Sequence, residues 1–136
     1  LVLVGIDADE IAEIEHQAHL DAGSVIALGT LDDADLALAY ARAAVVVVPS
    51  ISDGFGLPAL EAMGLGAPVV HSDAPALLEV CADAGLIVPR RLADAIQSVL
   101  DDEALAAQLS VRGRDRAHAY NWRDSAEKTW QLHADL

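Results

Sequence analysis

Asp53 and Glu61 flank a glycine-rich segment whose residue types are suited to binding a polar ligand. Gly54 and Gly56 let the backbone turn tightly and approach a ligand closely, because glycine has no side chain. The continuous apolar run Ala44–Val48 precedes this segment and is typical of a strand buried on both faces of a parallel sheet. A glycine loop that leads from such a strand into a helix N-terminus predicts a site for a phosphorylated small molecule.

A helix is predicted directly after this loop. Pro49 ends the preceding strand, because proline cannot donate to a strand ladder. Pro58 suits a first helical turn, where its missing amide hydrogen would have no partner in any case. Gly66 and Pro68 predict the end of the helix, and Val69–Val70 predicts the next strand. One carboxylate is therefore expected in the loop and the other in the helix that follows it.

Strands and helices alternate over the first two thirds of the chain, which predicts an α/β fold with a Rossmann-like, doubly wound parallel sheet. After Pro89 the apolar pattern is helical only, and these C-terminal helices include Trp122 and Trp130 on one face, where we expect both to pack against the protein. The predicted strands cover residues 1–5, 25–28, 44–48, 69–70 and 85–88. The first predicted helix runs from Asp7, which forms a capping box with Glu10, to about Leu20. The next two predicted helices run from Asp32 or Asp33 through Ala43 and over 75–80.

Composition limits the class of protein. The chain has 136 residues with 54% hydrophobic content, which is enough for one packed domain. No apolar run approaches the ~20 residues of a membrane span, and a net charge of −14 argues against direct binding of nucleic acid or an anionic membrane.

The single cysteine, Cys81, excludes an internal disulfide and favours a reducing, cytoplasmic location. Its side chain is interpreted as a small buried hydrophobic group. His16 and His19 share a helix face without a third ligand, so no metal site is predicted, and His71 is interpreted as a loop histidine.

The basic residues are unevenly distributed. Arg42 is the only Lys or Arg among residues 1–89, which contain fourteen Asp and Glu. A nucleotide diphosphate needs more neutralisation than a helix dipole and backbone amides supply. The sequence around the loop therefore lacks the cations that such a ligand requires. The arginines from Arg112 to Arg116 are predicted to form a solvated helix face.

The loop and its flanks resemble the signature of the retaining glycosyltransferases of family 4, the group 1 family, which has the GT-B fold. The resemblance lies in Asp53-Gly-Phe-Gly-Leu-Pro-Ala-Leu-Glu61-Ala-Met and in the following Gly-x-Pro-Val-Val. Its pattern is an acidic residue, seven intervening residues and then Glu. The first acid is usually Glu in this family, whereas Asp53 is shorter by one methylene.

The resemblance implies a partial C-terminal donor-binding domain over residues 1–136, with an α/β part at 1–89 and a helical part at 90–136. Leu1–Gly5 is similar to the second strand of that domain, so the central first strand and the N-terminal domain with the acceptor site are absent from this sequence. The Arg and Lys that contact the donor diphosphate in the family belong to the same absent segment. We therefore expect a fragment that aggregates or stays unfolded and transfers no sugar alone. In it the runs 1–5 and 44–48 are central strands that do not pair with each other.

The resemblance also assigns roles to residues. Glu61 would accept hydrogen bonds from the ribose hydroxyls, and Asp53, the candidate catalytic residue, would contact hydroxyls of the donor sugar. The expected reaction is hexosyl transfer with retention, from a nucleotide-diphosphate sugar to an acceptor hydroxyl, without a metal or other cofactor. The remaining donor-binding residues would act through their backbone: Gly54, Phe55, Gly56 and Leu57 at the sugar and the distal phosphate, and Gly29, Thr30 and Leu31 at the base.

Two other classes of function compete with this interpretation. A Rossmann-type dinucleotide oxidoreductase is disfavoured, because Leu1–Ala8 lacks the G-x-G-x-x-G turn that opens such domains. A non-catalytic interaction module, an inactive remnant of the same fold, stays open. Titration with nucleoside diphosphates separates the two remaining readings, since only a donor-binding domain should bind them.

Overall fold

The computed structural model describes residues 1–88 and 91–134. The chain divides into two compact units, Leu1–Leu38 and Ala39–Leu136, which are described separately. The boundary falls within helix α2 (Asp33–Arg42), whose start agrees with the prediction, since the Asp32 carboxylate caps it by accepting the amide of Asp35 at 2.8 Å. The predicted change from an α/β part to a helical part at Pro89 and Arg90 lies outside the described residues.

The first unit contains a two-stranded parallel sheet and one complete helix. Strand β1 is Val2–Leu3, helix α1 is Ala8–Gln17 and strand β2 is Ile26–Ala27. Glu15 is the buried residue of α1, and its carboxylate accepts the amide of Val25 at 2.9 Å, which ties the helix to the start of β2. The predicted capping box at Asp7 is wrong, because the side chain of this N-cap residue accepts no hydrogen bond from the helix.

The prediction that Leu1–Gly5 is a strand buried on both faces is also wrong. Leu1, Val2 and Val4 are all exposed. Among the described residues β1 pairs only with β2, and Val25 is the only buried hydrophobic residue of this unit. An apolar strand with one neighbour and few packing partners keeps much of its surface in water, whatever its sequence pattern.

The second unit contains the larger sheet and its helices. Three parallel strands have the order β3-β4-β5, and each pair is joined through a helix, which confirms the predicted α/β class. The strands are β3 (Val46–Val48), β4 (Val69–His71) and β5 (Leu86–Ile87), and the helices are α3 (Leu57–Gly64), α4 (Pro75–Cys81), α5 (Leu92–Asp101), α6 (Glu103–His118) and α7 (Trp122–Ala134).

Strand β4 lies at the centre of this sheet, and helices cover both of its faces. Val69 packs in a cluster with Met63 and Leu77 of α3 and α4, whereas Val70 packs in a second cluster with α5 and α6. Successive residues of a strand point to opposite faces, so the two clusters are the two layers of a doubly wound fold. Residues Val46 and Val47 of β3 are half-buried, so the run 44–48 is less buried than predicted.

Each unit has its own sheet. Strand β1 pairs with β2 in the first unit, and β3 pairs with β4 in the second, and the lack of pairing between the runs 1–5 and 44–48 stays a prediction. Within each sheet the pairing agrees with the Rossmann-like order that the sequence predicts.

Three side chains lie elsewhere than predicted. Trp122 and Trp130 are 82% and 73% exposed on α7, so the expectation that they pack against the protein is wrong. His71 is fully buried at the end of β4 rather than in a loop. Cys81 is buried as predicted, and burial raises the pKa of its thiol to about 11, which keeps it protonated.

Candidate functional site

The segment that joins β3 to α3 lies at the carboxyl ends of the parallel strands, the edge where ligands bind in such sheets. Gly56 is the N-cap of α3 and has a φ of 89°, a conformation that favours glycine. A Cβ at this position would also lie 3.0 Å from Cδ2 of Leu77 on α4. Gly56 therefore combines a left-handed backbone with close packing against the next helix.

Helix α3 begins and ends as the sequence predicts. Pro58 lies in its first turn. At the other end the amide of Ala67 donates to the carbonyl of Ala62 at 3.0 Å, and the amide of Gly66, whose φ is 83°, donates to that of Met63 at 2.9 Å. These two bonds form a Schellman motif, which closes the helix at Gly64, four residues before β4 begins.

The half-buried carboxylate of Asp53 folds back onto its own loop. Its Oδ1 accepts the amide of Gly56 at 2.6 Å and the amide of Phe55 at 3.1 Å. Short acidic side chains commonly bond the backbone two or three residues on, and such bonds stabilise turns. The loop is therefore held by one oxygen of Asp53, and two of the amides assigned to a ligand donate to that oxygen in this structure.

The free positive end of α3 lies directly beyond this loop. Among the described residues, no acceptor contacts the amide of Leu57, the first residue of the helix. The first amides of a helix lack intrahelical partners, and the helix dipole places partial positive charge there. The arrangement can stabilise a phosphate or another anion near Leu57.

Glu61 lies one turn further along α3, and its side chain is exposed although Ala62 and Met63 beside it are buried. The phenol of Tyr40 on α2 lies close enough to this carboxylate for its negative charge to affect the phenol pKa. Burial and, secondly, the negative charge of Glu61 raise the pKa of the Tyr40 phenol, so that it stays protonated at neutral pH. Glu61 therefore keeps its carboxylate accessible, about one helical turn from the loop.

Ser72 ties the loops that follow β3 and β4 to each other. Its hydroxyl donates to the carbonyl of Ser50, and its carbonyl accepts Nδ1 of His71 at 2.7 Å. Because that carbonyl can only accept, Nδ1 carries the hydrogen, and Nε2 is an acceptor with no partner among the described residues. Burial lowers the pKa of His71, so the ring is neutral. The ring also crowds Gly85, where a Cβ would lie 2.8 Å from Nε2.

Sequence reasoning missed two residues beside the loop, Arg116 and Tyr120. The rings of Phe55 and Tyr120 meet edge to face with their centroids 5.9 Å apart. Arg116 is half-buried and donates to the Tyr120 hydroxyl at 2.8 Å, so the prediction that the arginines from Arg112 to Arg116 form a solvated face is wrong at this position. Nothing in the sequence links positions 55 and 120, because the signal is a long-range contact.

The remaining predicted residues, Gly29, Thr30 and Leu31, follow β2 in the first unit. Gly29 has a φ of 61°, and its carbonyl accepts the amide of Gly5 at 2.7 Å, so this loop is tied to the end of β1. The structure thus brings Asp53, Leu57 and Glu61 together on one loop and helix, and it describes the 29–31 loop within the other unit. Contact of the 29–31 loop with a base stays a prediction.

Residues 1–88 and 91–134 contain no group of three or more His, Cys, Asp or Glu side chains that could hold a metal ion. Within the same ranges, no helix combines the length and the apolar character needed to cross a bilayer.

Known proteins are similar to this chain in sequence. Residues 1–102 match the family model described as "Glycosyl transferases group 1". The chain is 40% identical over 106 residues to the O-antigen chain mannosyltransferase B of Escherichia coli, covering 75% of this chain and 28% of that protein. It is 39% identical over 123 residues to the phosphatidyl-myo-inositol mannosyltransferase of Mycolicibacterium smegmatis, covering 85% of this chain and 31% of that protein.

Solved structures agree with the family match. The sucrose-phosphate synthase of Thermosynechococcus elongatus superposes with a TM-score of 0.86 at 36% identity, covering 100% of this chain and 38% of that one. The C-terminal domain of a group 1 glycosyl transferase from Francisella tularensis gives 0.64 at 30% identity, covering 82% of this chain and 60% of that one. The chain spans about a third of the length of the curated relatives it matches. These matches confirm the resemblance seen in the sequence, and the chain belongs to the group 1 glycosyl transferases.

Proposed function

We propose that this chain is the donor-binding part of a retaining glycosyltransferase that moves a hexose from a nucleotide-diphosphate sugar to an acceptor hydroxyl in the cytoplasm. The observation that carries the proposal is the preformed 53–56 loop at the free N-terminus of α3, with Glu61 exposed one turn along the same helix. The names of two relatives, both mannosyltransferases, favour a hexosyl donor. The relatives are about three times as long as this chain, and the proposal assigns the acceptor to a part of such enzymes that this chain does not match.

The proposed donor lies with its distal phosphate at the N-terminus of α3, where the amide of Leu57 and the helix dipole stabilise negative charge. Asp53 holds the loop with Oδ1, and its Oδ2 accepts a hydroxyl of the donor sugar. Arg42 is the only Lys or Arg before position 89, and the proposal places the cations that neutralise the diphosphate outside this chain.

In the proposed reaction the leaving diphosphate itself serves as the base, so the chain supplies no nucleophile and no metal. Its contribution is positional and electrostatic. The loop and the helix N-terminus stabilise the charge that develops on the departing diphosphate, and they do so with groups that are oriented before the donor arrives. The 29–31 loop is assigned to the base through its backbone.

Glu61 provides the test of this proposal. Replacing Glu61 with Gln removes a charged acceptor from the ribose diol, so the affinity of the full-length protein for a nucleoside diphosphate should fall by about 1.5–3 kcal/mol. Isothermal titration calorimetry measures the change. Glu127→Gln on α7 is the matched control, because it removes an exposed helical carboxylate far along the chain from the loop.

Equal affinities of the Glu61→Gln variant and the unaltered protein would contradict the assignment of Glu61. A folded protein that binds no nucleoside diphosphate would favour the alternative, a non-catalytic interaction module built on the same fold.

A further inference from the structure

Phe55 has one ordered aromatic partner although its ring is 47% exposed. The ring of Tyr120 meets it at an interplanar angle of 87°, the edge-to-face arrangement that aromatic pairs prefer. Tyr120 follows α6 and is 65 positions from Phe55 in the sequence, so this contact is a tertiary one. It places a side chain from the helical part of the protein directly against the loop.

Arg116 fixes the position of Tyr120. Its Nη2 donates to the Tyr120 hydroxyl at 2.8 Å, and the guanidinium carbon lies 5.1 Å from the centre of the tyrosine ring. The same guanidinium donates to the carbonyls of Val80 at 2.9 Å and Glu79 at 2.7 Å, in the last turn of α4. These carbonyls belong to the end of a helix, where acceptors lack intrahelical partners. Arg116 thus joins Tyr120 firmly to α4.

The loop touches α4 from a second direction. A Cβ built on Gly56 would lie 3.0 Å from Leu77 and 3.8 Å from Val80. Val80 therefore packs under Gly56 through its side chain and accepts Arg116 through its carbonyl. Phe55 and Gly56, the two residues whose amides donate to Asp53, are both anchored to one short helix.

We propose that Arg116 and Tyr120 are positioning residues that hold the 53–56 loop in the closed form in which Asp53 accepts both amides. The loop's role toward the donor rests on the proposed function, whereas the support of the loop by Arg116 and Tyr120 does not. Neither residue touches the ligand in this scheme. They act through Phe55, by restricting the loop to one conformation before a ligand binds.

Hydrogen exchange of the full-length protein without ligand tests this inference. Replacing Tyr120 with Ala removes the aromatic contact, and the amides of Phe55 and Gly56 should then exchange about threefold to tenfold faster. Tyr120→Phe keeps the ring and loses only the hydroxyl that accepts Arg116, so its exchange should lie between that of Tyr120→Ala and that of the unaltered protein. Trp130→Ala is the control, because it removes an exposed aromatic residue whose ring partner is His133 and should leave the loop unchanged.

The measurement includes the global free energy of unfolding from a urea titration of each variant. Faster exchange confined to the loop in Tyr120→Ala, and only partly restored by Tyr120→Phe, supports the inference, whereas full restoration by Tyr120→Phe would contradict the role of Arg116. Unchanged exchange in Tyr120→Ala would overturn it, and so would an increase spread evenly over the protein in step with lost stability.

A second labelling run with a nucleoside diphosphate separates the two proposals. Protection of the loop by the ligand agrees with the donor-binding assignment. A ligand that leaves loop exchange unchanged contradicts that assignment only, since the ligand-free comparison of Tyr120→Ala with Tyr120→Phe still decides the role of Arg116 and Tyr120.

Discussion

The two units of the chain have the same alternation of strand and helix but very different interiors. In the second unit β4 is buried on both faces, and fifteen hydrophobic residues among those described are buried, whereas in the first unit Val25 alone is. Strand β1 of the first unit is as apolar in sequence as β3, yet Leu1 and Val2 are exposed. The comparison shows that an apolar run determines strand formation, whereas burial depends on the layers available on each side of the strand.

Core truncation should give the largest difference between the units. Leu77 is fully buried and packs against Gly56, so Leu77→Ala should lower the free energy of unfolding by about 2–5 kcal/mol through lost contacts and a cavity. Ile26 of β2 is 54% exposed, so Ile26→Ala should cost less than about 1 kcal/mol. Urea unfolding of both variants measures the contrast. Similar losses would mean that the first unit has a core comparable to that of the second.

The second largest difference in stability is expected when two glycines with left-handed backbones are each replaced with alanine. Gly56→Ala should cost about 2–3 kcal/mol, since it adds overlap with Leu77 to the backbone penalty. Gly29 also has a positive φ, but a Cβ there meets nothing within 4 Å, so Gly29→Ala should cost only about 1 kcal/mol. Thermal unfolding of the two variants gives the comparison. A larger loss for Gly29→Ala would show that the space around Gly56 adjusts freely.

The smallest predicted loss of stability is for substitutions in the 53–56 loop and the 29–31 loop. Asp53→Ala removes the acceptor of two amides and should cost about 0.5–2 kcal/mol, as loss of a helix cap does. Thr30 is exposed in the corresponding loop of the first unit, so Thr30→Ala should change stability by less than about 0.5 kcal/mol. Differential scanning calorimetry can resolve this pair, and equal stability of the two variants would contradict the holding role of Asp53.

Asp53→Asn provides the functional control for that pair. Asparagine keeps an oxygen that can accept both amides but loses the charge, so the loop should stay folded. If Asp53 contacts the donor sugar, turnover of a nucleotide sugar should fall while affinity for the free nucleoside diphosphate changes little. Steady-state kinetics and calorimetry of the full-length protein distinguish the two quantities, and an equal loss in both would place Asp53 at the nucleotide instead.

Local signals predicted the loop and α3 well. Pro58, Gly56 and Gly66 each have a backbone requirement that follows from the residue type, so the start and end of the helix could be predicted from the sequence. The strand order followed from alternation and the Rossmann-like pattern.

Long-range contacts were not predictable in the same way. The role of Arg116 depends on carbonyls at positions 79 and 80, and a charged residue on a helix gives no sign of such partners. Trp122 and Trp130 are expected to pack against the protein because aromatic residues usually do, but the spacing of a helix face does not reveal whether another element covers it. The bonds from Asp53 to its own loop follow from a common turn pattern, yet the sequence alone could not exclude an outward orientation.

The crowding of Gly85 by His71 has a consequence for how this sequence can change over generations. A Cβ at position 85 would overlap the buried imidazole and lie 3.1 Å from Cβ of Cys81, so we expect a replacement there to be tolerated better after position 71 has become smaller. The order of the two mutations is therefore constrained: the path through His71→Ala can be followed by Gly85→Ala, whereas the reverse path passes through a strained intermediate. Positions 71 and 85 form an epistatic pair, and a library that varies them together reaches sequences that single substitutions do not.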